Sequence, residues 1–153
     1  MPKPTLLEQQ LRAHPLVRGL PAGDAAKLLA HAEAVEFERG TVIFSMGEPA
    51  ETFFLVRTGV VALNVQTEGG ASRKIEAIAE GTVLGWSWLF PPFEWQFDAV
   101  AETLVRGIAI DAGALRQEFE TDPAFAYRLV SRIAEVMAKR LYATRRQVLN
   151  LVE

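Results

Sequence analysis

Residues 33–66 read EAVEFERGTVIFSMGEPAETFFLVRTGVVALNVQ, and this stretch decides the fold. Val35 and Phe37 alternate with Glu36 and Glu38, the period of a strand with one face on a core. Arg39-Gly40 turns the chain, Val42-Ile43-Phe44 resumes it, and Ser45-Met46-Gly47-Glu48-Pro49 is a loop of turn residues. Thr52–Arg57 and Val60–Gln66 flank Gly59, where a tight turn is expected. Downstream, Glu68-Gly69-Gly70 marks a hairpin returning along Arg73–Ala79, and Gly81 opens a turn before Val83-Leu84-Gly85. The last strands are about Phe97–Glu102 and Leu104–Ile110. Roughly eight short strands at this spacing predict an antiparallel sandwich or jelly roll.

Helices flank that β-region. Thr5-Leu6-Leu7-Glu8 has capping-box spacing, with a hydroxyl for an N3 amide and a Glu reaching back. Leu6, Leu7 and Leu11 supply an apolar stripe, and Pro15 ends the helix. The turn Leu16-Val17-Arg18-Gly19-Leu20 leads to a second helix, about Ala22–Ala32, with Leu28 and Leu29 inward. After the strands, Asp111 is a plausible N-cap for a helix through Glu120. Asp122-Pro123 then starts a helix that no Gly or Pro interrupts to Glu153. Thirty helical residues span ~45 Å, more than a domain of this size needs for its own core.

That long helix carries two apolar stripes. Phe125, Leu129, Ile133 and Val136 suit packing on the β-body. Val130, Ala134, Met137, Leu141, Thr144, Val148 and Leu151 follow heptad spacing. Two faces imply two partners: the chain's own body and, most simply, the same helix of a second copy in a two-fold homodimer. The expected interface is Val130, Met137, Leu141, Thr144, Val148 and Leu151.

At 153 residues, 50% hydrophobic and 23% charged, the chain reads as one globular domain, residues 1–153. Its sections are N-terminal helices over 5–32, a β-roll over 33–110 and C-terminal helices over 111–153. No apolar run approaches ~18 residues, so no membrane span is expected. MPKPTLLEQQ lacks the apolar core of a secretory leader, and a cytoplasmic address is the default. The absence of Cys excludes disulfides, iron–sulfur clusters, thiolate zinc and a cysteine nucleophile. His14 and His31 are the two histidines, both read as surface or structural residues. A metal centre is therefore not expected, a cupin-type metalloenzyme lacks its ligands, and no cofactor is implied. Nor does the sequence hold a P-loop, a G-x-S-x-G elbow or a dinucleotide fingerprint, so an enzyme is not expected. Net charge is −7 over residues 1–123 and +4 over 124–153. The basic helix reads as a solvated face more readily than as a nucleic-acid contact.

The ordered set of residues resembles the cyclic nucleotide-binding domain of the catabolite activator protein (Crp/Fnr-like) family. The resemblance rests on His14-Pro15-Leu16-Val17-Arg18-Gly19-Leu20, Phe37 with Gly40, and Ile43 with Gly47. It continues through Ala50, Phe53-Phe54-Leu55-Val56 before Gly59, Gly81 four residues before Gly85, Asp122-Pro123 and Lys139-Arg140-Leu141. It implies a β jelly roll (a double-stranded β-helix), helices at both ends, and a long C-terminal helix that dimerises. It also implies a cyclic nucleotide inside the roll, its phosphate held by a short cassette that reads Gly-Glu with an Arg about ten residues on. A helix-turn-helix follows the long helix in family transcription factors. Here the chain stops at Glu153, and DNA binding by this chain alone is not expected.

The cassette departs from that pattern. Gly85 matches, but Trp86 stands at the Glu position, and the Arg position falls on Gln96, or on Trp95 if the loop is one residue shorter. Val83–Val100 contains no Lys or Arg, so a cyclic phosphate would lose its cation and face Glu94 and Asp98. Losing a charged hydrogen bond costs about 1.5–3 kcal/mol. All three Trp, with Phe90, Phe93 and Phe97, crowd this segment. They predict either an aromatic-walled pocket for an apolar or flat ligand or a packed, filled core. Ser87 is an anion contact or a helix cap, and Pro91-Pro92 should stop the short helix after one turn. Thr144 matches the position from which family members touch the purine. The expected pocket is Leu63, Ile75, Leu84, Gly85, Trp86, Ser87, Trp95, Gln96, Phe97 and Thr144, with Arg73 the one nearby cation for an anionic ligand. Three functions stand open. The first is a sensor or regulatory domain for a small molecule, a nucleotide or an apolar or aromatic compound. The others are a ligand-free interaction scaffold and a true cAMP or cGMP receptor.

Overall fold

A computed structural model describes residues 3–152. Met1, Pro2 and Glu153, the outer limits of the expected domain, lie outside the described residues. Eight strands form: β1 Ala32–Phe37, β2 Val42–Phe44, β3 Thr52–Thr58, β4 Val61–Gln66, β5 Ser72–Ile78, β6 Val83–Leu84, β7 Asp98–Ala101 and β8 Val105–Asp111. They make two four-stranded antiparallel sheets, in the orders β1-β8-β3-β6 and β2-β7-β4-β5. This is the jelly-roll arrangement, and its core is built from inward residues of both sheets, among them Phe53, Leu55, Val61, Leu63, Ile108 and Ile110.

The helices are α1 Leu6–Ala13, α2 Ala22–Leu29, α3 Ala112–Thr121 and α4 Pro123–Val152. Three caps form as their side chains dictate: Thr5 accepts from the Glu8 amide, Asp111 from the Ala114 amide and Asp122 from the Phe125 amide. The capping box at α1 is only half made. Glu8 pairs with Arg12 one turn on, and Leu6 faces solvent, so Leu7 and Leu11 carry the contact with the body. Helix α2 stops at Leu29, short of the expected Ala32. Ala32 instead begins β1, where it pairs with Ile110. Six residues in register with β8 outweigh the helical propensity of two alanines.

Helix α4 is fastened along its first half. Asp24 of α2 is buried and accepts two bonds from Arg128, at 2.6 and 2.9 Å. Lys27 donates to Asp122 at 2.6 Å, and this ammonium holds the Asp122 carboxyl below the usual carboxylate range. Arg132 donates to the carbonyls of Leu16 and Arg18. Phe125, Leu129 and Ile133 are buried on the body. Beyond Arg140 the helix leaves the body, and every residue from Leu141 to Leu151 is exposed.

His14 is a buried structural residue. Its Nε2–H donates to the Val56 carbonyl at 3.1 Å and its Nδ1 accepts from the Leu16 amide at 3.1 Å, which fixes the neutral tautomer. Burial pushes the imidazole pKa below its ordinary 6.5, against the raising effect of the bonds to Val56 and Thr82. The folded chain therefore favours neutral His14 more than the unfolded chain does. Its contribution is complete above pH 6.5 and is lost as pH falls from there toward the folded pKa. Urea midpoints should fall as pH is lowered from about 7.5 to about 5.5, and His14→Ala should flatten that slope. Equal slopes in the two proteins would remove His14 as the cause.

Candidate functional site

The cassette runs from Gly85 to Phe97, between β6 and β7. Gly85 sits at φ +91°, and a Cβ there would collide with the ring of Trp95. Only glycine lets that indole lie flat over the backbone at this point. Trp95 is 4% exposed and stacks on Phe44 at 3.8 Å, with the rings 9° from parallel. Its backbone is pinned to the neighbouring loop: the Trp95 amide donates to Glu48, and the Gly47 amide donates to the Trp95 carbonyl. Trp86 meets Phe97 edge-on at 6.2 Å. What remains inside the roll is a cavity of about 10 Å³ bounded by Phe44, Leu63, Gly85, Trp86, Ser87, Trp95 and Phe97. That volume suits at most one water.

The three tryptophans do three different things. Trp95 fills the roll. Trp88 is fully buried between Phe53 at 5.0 Å and Phe119 at 6.0 Å, as core. Trp86 turns outward, with the Arg140 guanidinium over its ring at 5.1 Å. One 3-10 turn, Ser87–Leu89, follows Trp86, and no side chain caps it. The expected stop holds: the turn ends before Pro91-Pro92. Arg116 of α3 then grips the loop, donating to the Trp88 carbonyl at 2.8 Å and lying over the Phe93 ring at 4.7 Å. Phe93 takes φ +57°, an uncommon backbone state for a bulky residue that this grip helps to hold.

Of the ten expected pocket residues, Leu63, Gly85, Trp86, Ser87, Trp95 and Phe97 surround the small cavity. The other four do not. Leu84 is buried in the core, paired with Phe54 in the sheet. Ile75 is 46% exposed on β5. Gln96 is exposed and donates to the Glu94 carbonyl, so it occupies the Arg position without entering the roll. Thr144 lines a different space. Asp98 is engaged by the Met46 amide, and Arg73 is exposed and lines neither space.

That second space is a groove of about 480 Å³ between the cassette and α4. Trp86, Leu89 and Phe90 form one wall, and Val130, Ile133, Ala134, Met137, Leu141 and Thr144 form the other. Glu76 and Arg140 close its edge with two hydrogen bonds, at 2.8 and 2.7 Å. Sequence reasoning missed Phe44, Glu76, Leu89 and the role of Arg140, and it named Phe90 only among the aromatics of the cassette. Phe44 was legible as an inward strand residue, but the 64-residue separation of Glu76 and Arg140 left no local signal. Among the described residues, no three His, Asp or Glu side chains converge to hold a metal ion, and no helix is long and apolar enough to cross a membrane.

The two wound sheets, the cassette between β6 and β7, and the helix that follows define a cyclic-nucleotide-binding type of domain. The family model for the cyclic nucleotide-binding domain matches residues 34–122, and the chain belongs to that family. A CRP-like cAMP-activated global transcriptional regulator of Mycobacterium tuberculosis is 24% identical over 137 residues, covering 90% of this chain and 59% of that protein. The chain thus spans less than two thirds of that relative. A cyclic nucleotide-binding domain from Methylobacillus flagellatus superposes with a TM-score of 0.80 at 14% identity, covering 94% of this chain and 83% of the other. The sensor domain of the transcriptional regulator DNR from Pseudomonas aeruginosa gives 0.70 at 20% identity, covering 89% and 91%. These two likenesses concern the fold.

Proposed function

We propose that the domain is a sensor or regulatory module that acts through pairing of α4 between two copies and does not respond to cAMP or cGMP. One observation carries this: the roll interior is occupied by the protein's own Trp95, leaving about 10 Å³. Small-molecule sites need roughly 300 Å³ or more. The missing cation points the same way, since Gln96 is exposed and Arg73, also exposed, does not line the cavity.

Support for pairing comes from α4. Its seam residues Leu141, Thr144, Val148 and Leu151 are uncovered in the single chain, while Phe125, Leu129 and Ile133 already serve the body. A second copy would cover that seam. The named relatives are regulators and sensor domains, which agrees with a non-catalytic, cytoplasmic role. The filled roll also favours a second reading, a ligand-free scaffold that works by protein contacts alone. The two differ in whether the outer groove is occupied.

Calorimetry with both nucleotides, alongside sedimentation, tests the proposal. Dissociation constants weaker than ~100 μM, or about −5.5 kcal/mol, and a dimer are expected. A micromolar constant for either nucleotide would overturn the reading.

A further inference from the structure

We infer that the cleft where β1, β8 and β3 meet the start of α3 binds a free basic amino acid, its ammonium groups on carboxylates and its carboxylate on Arg116. This goes beyond the regulatory reading above. It does not depend on how α4 is paired, because no residue of α4 lines the cleft.

The sheet register builds the site. Glu33 of β1 lies opposite Ala109 of β8, and Thr52 of β3 lies opposite Asp111. Ala109 and Asp111 are two residues apart, so Glu33, Asp111 and Thr52 share one face of the sheet. The cleft they border holds about 640 Å³, ample for an amino acid. Main-chain bonds fix its rim: the Asp111 amide donates to the His31 carbonyl, and the Ala112 amide donates to the Glu51 carbonyl.

Three carboxylates line the cleft, Glu33, Glu51 and Asp111, and all three are exposed. Cations on the adjoining elements are committed elsewhere. Lys27 donates to Asp122 at 2.6 Å, Arg106 pairs with Glu36 at 3.3 Å, and His31 meets Glu118 at 3.4 Å. The guanidinium of the lining belongs to Arg116, and it is only half used. Its Nη1 donates to the Trp88 carbonyl at 2.8 Å and its plane lies over Phe93, which leaves Nη2 without a protein acceptor among the described residues. Nη2 and Asp111 Oδ1 lie 3.9 and 3.4 Å from the point where a side chain on Gly113 would begin. They do not collapse onto each other, because Arg116 is tied to the cassette and Oδ1 caps the Ala114 amide. Opposite charges held apart across a glycine leave room for a ligand group that meets both. An acidic cleft alone would take any cation. The open guanidinium selects a cation that also carries a carboxylate, through a charge-assisted bond to Nη2. With three carboxylates against one guanidinium, a second positive charge on the ligand completes the match.

Calorimetry in an amine-free buffer tests this with L-lysine and three analogues that each lose one group. Lysinamide lacks the carboxylate, Nα-acetyl-lysine the α-ammonium and norleucine the side-chain ammonium. Lysine should bind saturably, and each analogue at least about tenfold more weakly, the loss of one charged hydrogen bond. Glu51→Gln, at an exposed position, should weaken lysine about tenfold with the fold intact by circular dichroism. Arg116→Gln should bring lysine down to the level of lysinamide and leave lysinamide within about twofold. Because Arg116 also holds the cassette loop, the wild-type series and Glu51→Gln decide the outcome if that variant does not fold. Absence of saturable lysine binding up to about 10 mM overturns the inference. So does lysine binding by Glu51→Gln equal to wild type. Lysinamide bound as tightly as lysine overturns it too, since the cleft then takes any lysine side chain, including one within a peptide, and Arg116 reads no carboxylate.

Discussion

Trp95→Ala is expected to cost about 3–5 kcal/mol of folding stability, read as a lower urea midpoint at unchanged slope. The ring is among the most buried on the cassette, stacked on Phe44 and laid over Gly85, and its removal opens a hole bordered by Phe44, Leu63, Trp86 and Phe97. The variant should still fail to bind cAMP, because the emptied space contains no cation. Gly85→Ala supplies the check on geometry. Its new methyl meets the indole, so it should be strongly destabilising in the wild type and less so in Trp95→Ala. The residual cost there is the φ of +91°. A double-mutant cycle isolates the contact. If Trp95→Ala shifts stability by less than about 0.5 kcal/mol, the ring is not core and the interior is open to ligand.

Strand alternation and turn residues made the roll legible from sequence because each depends only on neighbours. The Asp122-Pro123 start of α4 was legible for the same reason, and its cap forms at the expected atom. The end of α2 was not, since the gain that stops it lies in Ile110, far along the chain. At the cassette, the sequence said that Trp86 and Gln96 (or Trp95) replace the charged pair and that three Trp crowd the segment, but not where each ring points. Trp88 goes to the core against Phe53 and Phe119, Trp95 to the roll and Trp86 to α4, according to which strand or helix supplies the opposite surface. Arg140 read as a basic-face residue. Its carboxylate partner and its aromatic shelf arise only when β5, the cassette and α4 meet. The missing Arg at the cassette, by contrast, was fully visible as the absence of Lys and Arg between Val83 and Val100.

Leu141→Glu is expected to separate the two copies while each remains folded. Leu141 is 49% exposed in the single chain and lies one residue past the last bond that ties α4 to the body. In the two-fold pairing proposed above it would face its own counterpart, so the substitution would bury two carboxylates side by side. The cost is about 3 kcal/mol or more per dimer, which raises the dissociation constant over a hundredfold. The two new carboxylates repel each other only in the dimer, whereas the attraction to Arg145 one turn further on acts in the monomer as well, so the loss should be larger at low salt, where screening is weakest. The body keeps Phe125, Leu129 and Ile133, together with the Asp24–Arg128 pair, and the monomer's urea midpoint should match that of wild type diluted below its dissociation constant. Sedimentation velocity across concentrations reads the outcome. A wild type that is monomeric at the highest concentration shows that the seam pairs with something else, or with nothing. An unfolded Leu141→Glu variant shows that Leu141 supports the body, and that the two faces of α4 have been exchanged.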